Sequence, residues 1–217
     1  MISREAELEI SAPRIGLHHE LAKRALDVTM ALFGMIVLLP VFIVVGIAIK
    51  LDDPRGRIFF HQIRVGKNGK TFKMYKFRSM VSNADEKLKD ILHLNEIDGA
   101  MFKMKEDPRI TRIGKFIRKT SMDELPQFIN VLKGEMSMVG PRPPLPREVE
   151  SYSTYDRQRL QVVPGCTGLW QVSGRSSIDF KEMVELDLKY IKQRSIWFDI
   201  KLILRTISVL IRTKDAY

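Results

Sequence analysis

The longest apolar run of the chain lies near its beginning. Residues 28–49 contain no charged side chain, and 22 residues are enough for a helix to cross a bilayer core. Pro40 lies near the middle, where a proline removes a backbone hydrogen bond and bends or breaks a helix. Basic residues flank both ends, and such residues favour the cytoplasmic side of a membrane. We therefore favour a helix–break–helix that enters one leaflet and returns, with a single span and a buried soluble helix as alternatives.

Two β-rich runs follow the apolar segment. Residues 58–65 and 71–77 are rich in β-branched and aromatic side chains, and Asn68-Gly69 lies between them. Asn-Gly is a strong signal for a tight turn between antiparallel strands. The pattern therefore predicts a small β-hairpin.

Helical periodicity dominates the rest of the chain. The predicted helices cover 83–95, 107–119, 122–133, 180–193 and 196–212. The last of them shows two faces, one charged and one apolar. The apolar face consists of Ile196, Ile200, Ile203, Ile207 and Leu210. This helix suits either the lipid interface or packing against the domain. The expected fold class is α+β and mostly helical, with a re-entrant N-terminal helix pair, a β-hairpin and amphipathic interfacial helices.

The charge of the chain indicates an anionic partner. The 217 residues carry a formal net charge of +10, which suits nucleic acid, phospholipid or a phosphorylated substrate. Aromatic residues make up only 8% of the chain, and together with the apolar segment this argues against nucleic acid. The single cysteine, Cys166, excludes an intramolecular disulfide and a Cys-rich metal site, and we interpret it as a packed thiol.

Two adjacent carboxylates, Asp123 and Glu124, lie in a basic stretch of the sequence. The cations on either side are Arg109, Arg112, Lys115, Arg118, Lys119, Lys133, Arg142 and Arg175. Mg²⁺ prefers carboxylate oxygens and substrate phosphates as ligands, and one arginine guanidinium can bind two phosphate oxygens at once. The pattern therefore indicates phosphate chemistry with a metal. Ser121 and Glu124 also match a capping box that would open the helix over 122–133, and the two interpretations are compatible.

Two further features are candidates for the site. Prolines fix the backbone of Gly140–Pro144, so this stretch predicts a rigid loop that holds Arg142, or else an ordinary connector. Asp187 falls near the apolar stripe of the helix over 180–193. It is either a boundary residue or a buried carboxylate with a partner.

Several stretches, taken in order, resemble the monotopic bacterial phosphoglycosyl transferases. The matching stretches are 23–27, 76–80, 107–111, 123–127, 130–137, 140–143 and 164–175. This resemblance implies an enzyme of the bacterial inner (cytoplasmic) membrane whose first helix is re-entrant and broken at Pro40. It further implies a membrane helix over 21–52 and a catalytic domain over 53–217 on the cytoplasmic face, which includes the C-terminal interfacial helix. Residues 1–20 are polar and lack an apolar period, which by itself predicts a flexible tail.

The family resemblance also implies an activity and roles for residues. Family members transfer a sugar-1-phosphate from a UDP-sugar to polyprenyl (undecaprenyl) phosphate in two steps, with Mg²⁺ as cofactor. Asp123 matches the nucleophile, Glu124 helps to hold the metal, and Asp187 is a further candidate ligand. The candidate phosphate or nucleotide contacts are Lys76, Arg78, Arg118, Pro141, Arg142, Pro143 and Arg175. The expected partners are the UDP-sugar, polyprenyl phosphate and membrane lipid. The oligomeric state is left open, with a homo-oligomer as one alternative. The alternative is a non-catalytic basic adaptor that binds anionic lipid.

Overall fold

Two apolar helices meet at a sharp bend. The computed structural model describes residues 16–91, 93, 104, 106–174 and 178–212, and so leaves out most of the tail predicted over 1–20. Helix α1 (Leu17–Val37) and helix α2 (Leu39–Asp52) are bent by 61° at their junction. No helix in the described ranges has by itself both the length and the apolar composition for a membrane span, although α1 and α2 together do.

The bend lies at Leu38, two residues before the predicted break. Pro40 occupies the first turn of α2, where its missing N–H is tolerated because first-turn N–H groups lack partners within the helix. Leu38 still donates its N–H to the Gly34 carbonyl at 2.9 Å, and its own carbonyl accepts from Phe42 at 2.9 Å. Pro40 therefore lies in the first turn of the second helix and does not interrupt either helix. Helix α1 begins at Leu17, before the predicted boundary at residue 21.

The predicted β-hairpin is confirmed. Strand β1 (Phe59–Val65) pairs antiparallel with β2 (Thr71–Phe77). In the turn, Asn68 has φ of 55° and Gly69 has φ of 78°, a left-handed conformation that these two residue types adopt most readily. The hairpin carries Lys76 and Arg78 to its open end.

The remaining elements are mostly short helices around a second small sheet. They are α3 (Ala84–Ile91), α4 (Arg112–Lys119), α5 (Gln127–Lys133), β3 (Ser137–Val139), α6 (Pro146–Glu150), α7 (Thr154–Arg157), β4 (Gly165–Thr167), α8 (Leu169–Ser173), α9 (Phe180–Gln193) and α10 (Ile196–Arg212). Strands β3 and β4 pair in parallel, which the sequence analysis did not predict. The fold is α+β and mostly helical, as expected.

The helix predicted over 122–133 is divided in two. Residues Met122–Glu124 form a 3₁₀ turn, and the α-helix α5 begins only at Gln127. The capping-box prediction is wrong, because Ser121 has φ of 56° and its side chain makes no capping hydrogen bond, whereas an N-cap residue needs an extended backbone. Helix α5 ends at Lys133, where the predicted helix also ended, and Gly134 follows it with φ of 79°.

The helix predicted over 107–119 begins later than expected. Thr111 caps α4, and its hydroxyl accepts from the Gly114 N–H at 2.9 Å. Gly114 is required here because a Cβ at this position would lie 1.9 Å from the Ser79 carbonyl oxygen. Helix α4 is thereby held against the chain that leaves β2.

Polar contacts attach α1 to the rest of the domain. Arg24 donates to the carbonyls of Val131 and Leu132 at 2.5 and 2.7 Å, at the C-terminus of α5. Lys23 bridges Asp27 at 2.9 Å and Asp199 at 2.8 Å. The family-like stretch 23–27 therefore anchors the apolar helix pair.

Helix α10 uses one face for the core and exposes another. Leu202 and Ile203 are buried, whereas Trp197 is 81% and Ile207 is 48% exposed. The predicted apolar face was therefore only partly right, since Ile207 does not share the environment of Ile203. The Leu210 side chain lies outside the described part.

Candidate active site

The Asp123-Glu124 pair lies on the 3₁₀ turn between α4 and α5. The left-handed conformation of Ser121 turns the chain sharply after α4, and the Glu124 N–H donates to the Ser121 carbonyl at 3.3 Å. As a result the Asp123 side chain is 11% exposed and that of Glu124 is 45% exposed. The two neighbouring carboxylates thus have different environments.

Lys76 of β2 is the nearest cation to both carboxylates. Its Nζ lies 2.7 Å from Glu124 Oε1 and 3.9 Å from Asp123 Oδ2. Lys76 is the penultimate residue of β2, so the register of the hairpin places it here. The strand and the turn together build the centre of the site.

Burial and nearby charges shift the pKa values of the two carboxyl groups in opposite directions. Burial raises the pKa of Asp123 from 3.8 to about 6; Glu124 adds to this effect, and Lys76 and Arg118 oppose it. Partial desolvation acts to raise the pKa of Glu124 as well, but the positive charges of Lys76, Arg142 and Arg64 outweigh it and hold this pKa below its ordinary value. Both groups are therefore ionised near neutral pH, and Asp123 is the less stabilised anion.

The structure brings some of the predicted cations to this pair. The charge of Arg118, in the last turn of α4, acts on Asp123, and that of Arg142 acts on Glu124. Pro141 and Pro143 are buried on either side of Arg142. The positive charges of Lys76, Arg118 and Arg142 therefore all act on the two carboxylates.

Arg78 is engaged elsewhere. Its guanidinium donates to the Asp53 carboxylate at 2.6 Å and to the Asp53 carbonyl at 2.8 Å, just after α2 ends. It packs so closely against Gly56 that a Cβ there would lie 1.2 Å from Nη1. In this structure the Arg78 guanidinium joins the hairpin to the end of α2, and its contact with a substrate phosphate stays a prediction. Arg175, the other expected contact in this region, lies outside the described residues.

Asp187 is not assembled with the pair. It is 1% exposed, and its carboxylate accepts a hydrogen bond from Arg159. Over the residues that the structure describes, no three His, Cys, Asp or Glu side chains come together as a metal site. The structure thus places the Asp187 carboxylate against a buried guanidinium and apart from the pair, and its role as a metal ligand stays a prediction.

A site with only the two carboxylates still fits Mg²⁺. This ion is commonly held by one or two protein carboxylates, with waters and substrate phosphates completing an octahedron. Asp123 and Glu124 offer such oxygens, and the lowered pKa of Glu124 keeps one of them ionised. The two carboxylates are thus the residues that would hold the ion.

Two buried arginines were missed by the sequence analysis. Arg64 of β1 is 6% exposed and donates to the Pro143 carbonyl at 3.0 Å. Burial and the nearby charge of Arg142 lower the pKa of Arg64 to about 10. Arg159 is 2% exposed. A charged residue between Ile63 and Val65 was a usable signal for Arg64, whereas no local pattern distinguishes Arg159.

The residues on either side of the acidic pair, Met122 and Leu125, pack against a cluster that includes Val45 and Ile49 of α2. An acidic pair among cations is typical of an enzyme of phosphate chemistry. Residues 18–213 match the family described as bacterial sugar transferase, and the chain belongs to that family.

Individual relatives cover different shares of their own length. The chain is 53% identical over 194 residues to the galactosyl transferase CpsE of Streptococcus agalactiae, across 89% of this chain and 43% of that protein. It is 45% identical over 199 residues to the undecaprenyl-phosphate galactose phosphotransferase of Salmonella typhimurium, across 90% of this chain and 41% of that protein. It is 38% identical over 201 residues to the exopolysaccharide production protein ExoY of Sinorhizobium fredii, across 91% of this chain and 88% of that protein. The chain thus spans less than half of the first two and most of the third.

Proposed function

We propose that the chain transfers a sugar-1-phosphate from a UDP-sugar to polyprenyl (undecaprenyl) phosphate, which yields a polyprenyl-diphosphate sugar and UMP. The observation that carries this proposal is the buried Asp123 beside Glu124, within reach of the charges of Lys76, Arg118 and Arg142. Such a site suits a dianionic diphosphate, since guanidinium and ammonium groups neutralise phosphoryl oxygens. The names of several relatives, which include undecaprenyl-phosphate phosphotransferases, support the same substrate classes.

In the first step, a carboxylate oxygen of Asp123 attacks the β-phosphorus of the UDP-sugar. A bond forms between this oxygen and phosphorus, and the bond from phosphorus to the bridging oxygen breaks, so that UMP leaves with that oxygen. Burial favours this role because it makes the Asp123 anion poorly solvated, with a pKa of about 6 that leaves it ionised at neutral pH. The cations stabilise charge on the phosphoryl oxygens and on UMP.

In the second step, a phosphate oxygen of the polyprenyl phosphate attacks the same phosphorus. The bond to Asp123 breaks and its carboxylate is restored. Two successive displacements let a water-soluble donor and a lipid acceptor use one site in turn. Mg²⁺ held by Asp123 and Glu124 would supply further neutralisation of phosphate charge.

The apolar surface indicates where such an enzyme would lie. Helices α1 and α2 expose large apolar side chains, which is unfavourable in water and favourable in a bilayer. These residues include Leu32, Phe33, Ile36, Val37, Leu39, Ile43, Val44, Ile47 and Leu51. We infer a re-entrant pair in the bacterial inner membrane, with the catalytic domain on the cytoplasmic face and α10 in the lipid interface.

Site-specific labelling tests this topology. Single cysteines at Leu17 and Lys67, in a Cys166→Ala background, should be reached by an impermeant reagent from the same side of sealed vesicles. Labelling from opposite sides would favour a single span.

The activity is tested by UMP release across a panel of UDP-sugars, with polyprenyl phosphate in nanodiscs and with or without Mg²⁺. We expect release with at least one donor and dependence of this release on Mg²⁺. Release beyond one equivalent per enzyme should require the lipid acceptor, and Asp123→Asn should abolish release. Asp90→Asn, which changes an exposed carboxylate of α3, is the matched control and should retain activity. Salt-sensitive binding to anionic liposomes without any UMP release would instead support the adaptor.

A further inference from the structure

The loop that carries Arg142 is held through four successive carbonyl groups. Pro141 accepts from the Gly165 N–H at 2.9 Å, and Pro144 accepts from the Val65 N–H at 2.9 Å. Between them, Arg64 donates to the Pro143 carbonyl at 3.0 Å, and Arg159 makes a longer contact of 3.5 Å with the Arg142 carbonyl. Three of these four residues are prolines without an N–H, so carbonyl acceptors are the main means of fixing this backbone.

The Arg159 guanidinium at this loop is itself fixed by a buried network. It is paired with the Asp187 carboxylate, and both residues are at most 2% exposed. Its Nη1 also donates to the Tyr152 hydroxyl at 2.9 Å, and its Cζ lies 5.8 Å from the centre of that ring. Isolated burial of either charge would be strongly unfavourable, so the two groups depend on each other.

The charge of Arg142 acts both on this buried pair and on the acidic dyad of Asp123 and Glu124. Its Cζ lies 6.0 Å from the centre of the Trp170 ring, which restricts the guanidinium on one face. Burial raises the pKa of Asp187 to about 6, while the charges of Arg159 and Arg142 oppose that rise. Since Arg142 also acts on Glu124, it connects the two groups of charges.

We propose that Asp187 and Arg159 are positioning residues for Arg142: the buried pair fixes the loop backbone and thereby aims the Arg142 guanidinium at the diphosphate of the nucleotide sugar. The proposal rests on the proposed function and assigns Asp187 a task other than metal binding. A guanidinium fixed before the substrate arrives loses less conformational freedom on binding. Loss of the pair should therefore weaken nucleotide binding through Arg142.

A double-mutant cycle tests this coupling directly. The variants are Asp187→Asn, Arg142→Gln and their combination, with KM for the UDP-sugar from UMP release and Kd for UMP from calorimetry. We expect Asp187→Asn alone to raise both constants by about tenfold, and to change them by less than about twofold when Arg142 is already replaced. Equal effects of Asp187→Asn in both backgrounds would overturn the proposal.

A second variant separates positioning from folding. Arg159→Met combined with Asp187→Leu removes both buried charges at once, which proteins often tolerate better than loss of one partner. We expect this variant to melt cooperatively yet to show the same rise in KM and Kd, again only when Arg142 is present. A folded variant with unchanged constants would refute the positioning role. Absence of UMP release from the unaltered chain would instead refute the proposed function.

Discussion

The replacement of Asp123 by asparagine should make the folded protein more stable at pH 8. Burial raises the pKa of Asp123 from 3.8 to about 6, so ionisation is more costly in the folded state than in the unfolded chain. A tenfold change in such an equilibrium corresponds to about 1.4 kcal/mol, so the cost is about 3 kcal/mol above pH 6. Asparagine has a similar shape and carries no charge, and therefore removes this cost.

The stabilisation expected from Asp123→Asn depends on pH in size but not in sign. Below pH 3.8 the group is protonated in both states and the substitution should bring little gain, whereas between pH 3.8 and about 6 the gain should grow. In thermal melts of detergent-solubilised protein, about 3 kcal/mol corresponds to roughly 6–12 °C for a domain of this size.

A second variant of the dyad provides the control. Glu124→Gln should lower stability at pH 8, because the pKa of Glu124 is held below its ordinary value and its ionised form therefore stabilises the fold. At pH 8, a melting temperature of Asp123→Asn equal to or below that of the unaltered protein would show that burial does not disfavour the ionised form of Asp123.

Three further substitutions test the surroundings of the dyad. Lys76→Gln should move the acidic limb of the pH–rate profile to higher pH, because the ammonium acts to lower the pKa of both carboxyl groups, as UMP release across pH will show. Gly114→Ala should destabilise the fold by about 1–3 kcal/mol in thermal melts, because the new Cβ would lie 1.9 Å from the Ser79 carbonyl oxygen. Arg78→Met should lower the melting temperature through loss of the Asp53 pair, while KM for the UDP-sugar stays unchanged.

Each of these expectations has a contradicting outcome. An unaltered pH–rate profile for Lys76→Gln would show that Lys76 does not lower the pKa values of Asp123 and Glu124. Gly16→Ala is the control for the glycine experiment, since no atom lies within 4 Å of a Cβ there, and equal melting temperatures for the two alanine variants would refute the close-packing argument. A large rise in KM for Arg78→Met would return Arg78 to the substrate contacts.

Local patterns predicted the elements whose cause is local. The Asn68-Gly69 turn has its own backbone preference, so the hairpin could be predicted from neighbouring residues. The bend between α1 and α2 was likewise predicted, although its position shifted because Pro40 is best accommodated in the first turn of a helix. The candidate site could likewise be predicted from neighbouring residues, because its two carboxylates are adjacent in sequence and cations flank them.

Contacts between distant residues account for what could not be predicted. Ser121 matches a capping sequence, but the turn from α4 into the dyad requires a left-handed backbone there. Arg78 has the charge for a phosphate contact, yet Asp53 lies 25 residues away in sequence and takes its guanidinium. Arg159 and Asp187 are separated by 28 residues, so no periodicity relates them. The partners of charged groups therefore have to be read from the fold.

The most direct test of the central claim is detection of a phosphosugar bound covalently to Asp123. Purified protein in nanodiscs would be incubated with a UDP-sugar that supports turnover, without lipid acceptor, quenched and digested for mass spectrometry. We predict a sugar-phosphate adduct on the peptide that contains Asp123, together with one equivalent of UMP, and its loss when polyprenyl phosphate is added. Turnover that persists in Asp123→Asn, or an adduct on another residue, would contradict the account.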